Sequence, residues 1–134
     1  MNDFIHLGMD YNVPANTEVF AFRQGYVGTV LVDKDQKGGW GGMVIIKPFD
    51  DAKLQVCTVY AHLKPDSLPR IGETVFPGKK IGIIGDIHEN GGWFPHLHVQ
   101  MVRGRQVRQD TDGYGPRLPD NHIKFPDPSL FGPW

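Results

Sequence analysis

Short apolar runs, β-branched or aromatic, alternate along this chain with clusters of turn residues, which is the pattern of an antiparallel sheet assembly. The predicted strands are residues 19–22, 26–32, 43–47, 54–61, 80–84 and 96–102. Gly25 and the run Gly38-Gly39-Trp40-Gly41-Gly42 punctuate the first three. In the last, Leu97, Val99 and Met101 alternate with His96, His98 and Gln100, giving one apolar and one polar face. Between residues 71 and 85, Gly72, Gly78, Gly82 and Gly85 recur around Val75 and Ile81. That spacing suits a tight β-corner in which small residues let two chain segments approach closely. Nothing marks a domain boundary before about Gly104. Residues 1–103 read as one β domain. Residues 104–134 read as a Pro/Gly-rich tail packed on the same domain, with Ile123, Phe125, Leu130, Phe131 and Trp134 to bury and prolines that forbid regular pairing over most of it.

Composition points to one globular, mostly β domain. The 134 residues include 17 Gly and 11 Pro, about a fifth of all positions against a usual share of roughly 12%. Helix bundles and coiled coils are excluded by that punctuation. With 14 Lys+Arg against 15 Asp+Glu and both signs scattered, there is no electrostatic footprint for nucleic acid or an anionic membrane. Cys57 stands alone among Val56, Thr58 and Val59 and reads as a core position. No basic region followed by an apolar run opens the sequence, and no apolar stretch approaches the roughly 18 residues of a membrane span. The expectation is a chain that is cytoplasmic as it stands, or one domain trimmed from a longer exported protein.

The candidate chemistry lies in the histidines. Residues i and i+2 of a strand share a face, so His96 and His98 point the same way, about 6.7 Å apart along the backbone. Read as one extended segment, residues 6–10 also put His6 and Asp10 on one face, with no side chain at Gly8 to obstruct an ion between them. Two imidazoles and one carboxylate form a catalytic zinc set with an open fourth position. The same donors also bind Fe(II) in cupin-type enzymes. A solvated His-X-His on an outer sheet face would need no metal, and strand geometry alone does not say which of His96 and His98 is a ligand. The glycine corner is shared with biotinyl and lipoyl carrier modules, for which Lys34 in a polar turn would be the attachment site.

Four ordered motifs narrow these alternatives: His6-X3-Asp10, Tyr60-Ala61-His62-Leu63, the corner from Gly72 to Gly85, and His96-Leu97-His98. Their order and approximate spacing resemble the lysostaphin-like (LytM-type) zinc metallopeptidases over residues 6–103. The resemblance implies an open antiparallel β-sandwich built on a duplicated hybrid motif with a glycine-rich β-corner. It implies one zinc ion held by His6, Asp10 and His98, and catalytic roles for His62 and His96. It also implies zinc-dependent hydrolysis of a peptide, by default a crosslink in bacterial peptidoglycan or a related small or glycine-containing peptide. A non-catalytic binding domain of the same fold, set within a larger protein, is the alternative.

Zinc brings the pKa of bound water near 7 and polarises a carbonyl. No glutamate stands in a His-Glu-X-X-His arrangement, so proton handling falls to imidazole, with His62 and His96 as the pair. The family's Ser/Thr-Gly-rich approach to His-X-His is replaced by Asn90-Gly91-Gly92-Trp93-Phe94-Pro95, and Gln100 stands where glutamate is common. In this the chain is similar to a branch of domains attached to intracellular enzymes. Trp93 is expected to wall the groove and select small residues beside the scissile bond. His88 and His122 match no family position and are expected to face solvent or to make local hydrogen bonds.

Overall fold

The continuous apolar runs of the middle of the chain form strands buried on both faces, and shorter strands close around them. The structure is a computed structural model that describes residues 4–6, 8–49, 56–103 and 114–116, with 4–6, 103 and 114–116 described by their backbone alone. In chain order the strands are β1 (Phe4–His6), β2 (Met9–Tyr11), β3 (Glu18–Phe20), β4 (Gly25–Asp33), β5 (Gly41–Lys47), β6 (Val56–Leu63), β7 (Thr74–Val75), β8 (Lys80–Ile83), β9 (Leu97–Arg103) and β10 (Tyr114–Pro116). A 3-10 turn, Pro65–Ser67, follows β6. No α-helix occurs among the described residues, so none there is long and apolar enough to cross a membrane. The fold is all-β and every pairing is antiparallel.

One six-stranded sheet carries the order β2-β9-β6-β5-β4-β7, and the pairs β3-β8 and β1-β10 form two small sheets. Strands β5 and β6 lie in its middle, which is why their sequences show little alternation. On one face Val44, Ile46, Tyr60 and Val99 pack with Val19, Ala21 and Ile81 of the β3-β8 layer. On the other, Met43, Ile45, Cys57, Val59, Ala61 and Val102 form a second cluster against Leu31 and Trp40. Cys57 is buried there as a core residue.

The glycine corner uses its glycines in two ways. Gly72 and Gly78 take φ of 88° and 90°, left-handed turn positions that favour glycine. Gly82 and Gly85 instead lie against the side chains of Leu63 and Glu89, where a Cβ would crowd its neighbours at 2.9 Å and 3.2 Å.

Two expectations need correction. Residues 6–10 are not one extended strand. The chain bends at Gly8, β1 pairs with β10, and β2 pairs with β9, so different partners impose different directions. Gly8 itself lies close against β9. A Cβ there would clash with the Val99 carbonyl and meet the His98 ring at 3.0 Å, so its role is close approach of backbone to β9. The alternative of a solvated His-X-His on an outer sheet face does not hold either. His98 and Gln100 are buried because β9 lies inside the sheet between β2 and β6. Within the tail, Tyr114–Pro116 pairs with β1 despite Pro116, while Ile123, Phe125, Leu130, Phe131, Trp134 and His122 lie outside the described residues.

Candidate metal and catalytic site

Buried polar side chains are the uncommon ones in a core and so point to function. Among the described residues they are Thr58, His62, Asn90, His96, His98 and Gln100, and all but Thr58 belong to one connected cluster around the histidines. Strand pairing accounts for much of that convergence. Asp10 of β2 stands directly opposite His98 of β9, and His98 directly opposite Ala61 of β6.

His62 reaches the groove only because β6 breaks its alternation. Gly42 pairs with Leu63 and Val44 with Tyr60, so Ala61 and His62 together oppose the single residue Met43. This bulge, with His62 at φ 68°, turns the imidazole onto the side of His98 while Leu63 returns to the core with Tyr60. A non-glycine residue held at such a φ is strained by about 1–3 kcal/mol, and its surroundings fix it. The His62 N–H donates to the Trp40 carbonyl at 2.8 Å, and the Gly85 N–H donates to the His62 carbonyl at 3.0 Å.

Hydrogen bonds set the ring orientations. The His62 Nδ1–H donates to the Asn90 carbonyl at 2.8 Å, and the His96 Nδ1–H donates to the Phe94 carbonyl at 2.7 Å. A carbonyl can only accept, so each neutral ring keeps Nε2 as its lone-pair nitrogen. The two rings lie 4.4 Å apart between centroids, and His96 Nε2 is 3.7 Å from Asp10 Oδ1. His98 Nδ1 is 2.9 Å from the same oxygen, and its Nε2 is 3.0 Å from Gln100 Oε1.

Burial first, then the neighbouring His96, push the His62 imidazole down to about 4, against the opposing hydrogen bond to the Asn90 carbonyl. An unfolded histidine titrates near 6.5, so the unfolded chain binds the proton first and protonation favours unfolding. His62 should therefore contribute stability that is complete above about pH 6.5 and lost as pH falls to about 4, on the order of 3 kcal/mol in all. Urea unfolding of the metal-free protein across that window should show this loss, and His62→Gln should flatten it. An equal slope in both proteins would assign the acid limb to other groups.

Two glycine-rich loops frame the groove by interlocking. A Cβ at Gly91 would clash with the Gly39 carbonyl and one at Gly92 with the Gln36 carbonyl, while the Gly38 N–H donates to Gly91 at 2.9 Å. Trp40 stacks on His62 and meets His98 edge-on. Asn90, fully buried, accepts from the Trp93 N–H and donates to the Trp93 and Gly85 carbonyls. Trp93 donates its indole N–H to the Gly39 carbonyl at 2.9 Å and packs against both His62 and His96. It is thus a clamp between the loops as well as a face toward the histidines. Phe94, 87% exposed beside His96, is the ring that presents free surface.

The structure brings together Asp10, His62, His96 and His98. His6 ends β1 with its backbone opposite Tyr114, and its side chain lies outside the described residues. Among the described residues no three His, Cys, Asp or Glu side chains form a complete ligand set. Asp10 and His98 supply two of the donor types a zinc site uses and fit such an ion chemically. His88 is exposed in a turn, its backbone N–H bonded to Asp86. Trp40 and Asn90 join the site with side-chain roles that their loop positions alone did not announce. Their signal is an aromatic and an amide, each abutting a glycine pair in the two loops that interlock.

Fold and groove define an all-β protein of the lysostaphin and LytM type. The chain belongs to peptidase family M23, whose family profile matches residues 4–110, and this membership places it among the peptidases. It is 34% identical over 104 residues to the DD-carboxypeptidase/endopeptidase Mpg of Neisseria meningitidis serogroup B, covering 77% of this chain and 21% of that protein. The chain thus spans about a fifth of the length of the curated relatives it matches. In structure it is similar to a mutant catalytic domain of the prophage-encoded M23 protein EnpA of Enterococcus faecalis. The TM-score is 0.64 at 21% identity, covering 96% of this chain and 79% of that one. It is also similar to the catalytic domain of the antimicrobial peptidase lysostaphin of Staphylococcus simulans, with a TM-score of 0.58 at 24% identity, covering 77% and 71%. At these identities the likenesses establish the fold.

Proposed function

We propose that this chain is a zinc-dependent endopeptidase that hydrolyses peptide crosslinks of bacterial peptidoglycan, with His6, Asp10 and His98 holding the ion. His62 and His96 are the proton-handling residues. The observation that carries this reading is the gathering of three buried imidazoles around the Asp10 carboxylate, two of them with Nδ1 tied to backbone carbonyls. A zinc ion in such a set supplies a Lewis acid and a nucleophile from water at neutral pH. The chain's own residues do the rest. Asp10 and His98 hold the ion, and His96 and His62, each with Nδ1 held by a backbone carbonyl and Nε2 left as the lone-pair nitrogen, accept a proton and return it to the leaving amine. Trp40 and Trp93 shield the rings from water, and the exposed Phe94 offers an apolar contact for the bound peptide. The matched relatives carry carboxypeptidase/endopeptidase in their name, which supports the substrate class. In this reading residues 104–134 complete the same domain, as the β1-β10 pairing suggests, and the domain acts within a longer cell-wall enzyme.

The test is digestion of purified peptidoglycan and of crosslinked muropeptides by chelator-treated protein with and without one equivalent of zinc. Zinc-restored release of uncrosslinked peptides is the expected result. An intact substrate together with no zinc uptake would refute the reading.

A further inference from the structure

We propose that Gln100 is the positioning residue that makes His98 a metal ligand, by holding the imidazole proton on Nε2 and so keeping the Nδ1 lone pair turned to Asp10. The inference rests on the reading of Asp10 and His98 as ligands and concerns what makes one of them competent.

Gln100 is fully buried, with 0% of its surface exposed. It lies two residues along β9 from His98 on the same face, opposite Val59 of β6 and followed on that face by Val102. Shape alone would be served there by an apolar side chain, and a buried amide costs free energy unless it is hydrogen-bonded. Its oxygen lies 3.0 Å from His98 Nε2. An amide oxygen only accepts, so a hydrogen bond between these two atoms requires the ring proton on Nε2.

The other end of the ring shows why this matters. His98 Nδ1 lies 2.9 Å from Asp10 Oδ1. A carboxylate beside a neutral imidazole draws the proton to the nearer nitrogen, which here is the atom a metal would need. Asp10 on its own therefore favours the ring form that cannot bind, and Gln100 opposes it from the far side. Outer hydrogen-bond partners of this kind commonly set both the tautomer and the donor strength of a ligating histidine. A neutral amide polarises the ring less than a carboxylate does, so glutamate at this position should serve at least as well.

Two variants decide the matter. Gln100→Met keeps approximate volume and removes the acceptor, whereas Gln100→Glu keeps an acceptor. Zinc affinity is read by chelator competition, and the His98 ring form by ¹⁵N–¹H correlation spectra of the metal-free protein above pH 8, where histidine is ordinarily neutral. Gln100→Met should bind zinc about 10- to 100-fold more weakly and move the His98 ring from Nε2–H toward Nδ1–H. Gln100→Glu should bind at least as tightly as the parent. A merely structural role would lower the melting temperature of Gln100→Met and leave both readouts unmoved, which would overturn the proposal. Should Gln100→Met fail to fold, the parent still decides, because an Nδ1–H ring in the metal-free parent overturns it. A parent that takes up no zinc would refute the metal site and this inference together. A parent that binds zinc, matched by Gln100→Met, refutes only the role of Gln100.

Discussion

Asp10→Ala is expected to lose stoichiometric zinc and, with it, nearly all peptidase activity. A site of three protein ligands that shares a binding free energy on the order of 10 kcal/mol loses about a third of it with one ligand, roughly 10²-fold in affinity. Asp10 is the cleaner residue for the measurement. It sits on edge strand β2 with its side chain 38% exposed, so its truncation leaves no cavity. His98→Ala should lose zinc to a similar degree but also costs stability, since its ring is buried under Trp40. His88→Ala, at an exposed turn, should keep the metal in full. Metal content of protein purified without added zinc, followed by chelator competition, checks all three. If Asp10→Ala holds zinc as tightly as the parent, Asp10 is no ligand.

The sheet was readable where burial is expressed in sequence. Residues 26–32, 43–47, 80–84 and 96–102 fall on β4, β5, β8 and β9 within two residues at each end, because β-branched runs bounded by glycine have no competing helical period. Residues 19–22 were placed one residue late at the start and two at the end against β3, and the two residues of β7 were hidden inside the glycine corner. Such short strands are set by tertiary contact, of β3 with β8 and of β7 with β4, rather than by local pattern.

The site divides along the same line. The shared face of His96 and His98 follows from period two alone, whereas the union of Asp10 with His98 depends on β2 pairing with β9, which no local feature announces. His62 was the least readable. Strict alternation along β6 would send it to the core side with Tyr60, and only the bulge at Ala61–His62 reverses that. No glycine marks the bulge, so its position near the site came from the family resemblance and its orientation from the fold. The amide of Gln100 looked like a departure from pattern, and its meaning emerged only from the 3.0 Å contact with His98.

His96→Ala should keep its zinc within a few-fold and lose activity by about 10²- to 10⁴-fold, the range for removing a proton-transfer group. The ring has no competing task in the geometry. Its Nδ1–H is committed to the Phe94 carbonyl, and its Nε2 lies 3.7 Å from Asp10 Oδ1, near enough to take the proton of a water attacking a peptide held there. His62 should matter less to proton transfer. An imidazole pushed down to about 4 by burial and the neighbouring His96 stays neutral at neutral pH and is the weaker base of the pair. His62→Ala should therefore cost about 10²-fold in kcat with a smaller change than His96→Ala. The backbone complicates that variant, since alanine would also be strained at φ 68°. His62→Gly removes the ring while relieving the strain, so it should be more stable than His62→Ala and equally impaired in kcat. Steady-state kinetics at fixed zinc occupancy, with melting temperatures alongside, separate the two contributions. Full turnover in His62→Gly would leave His62 a structural residue, and unchanged kcat in His96→Ala would remove it from proton handling.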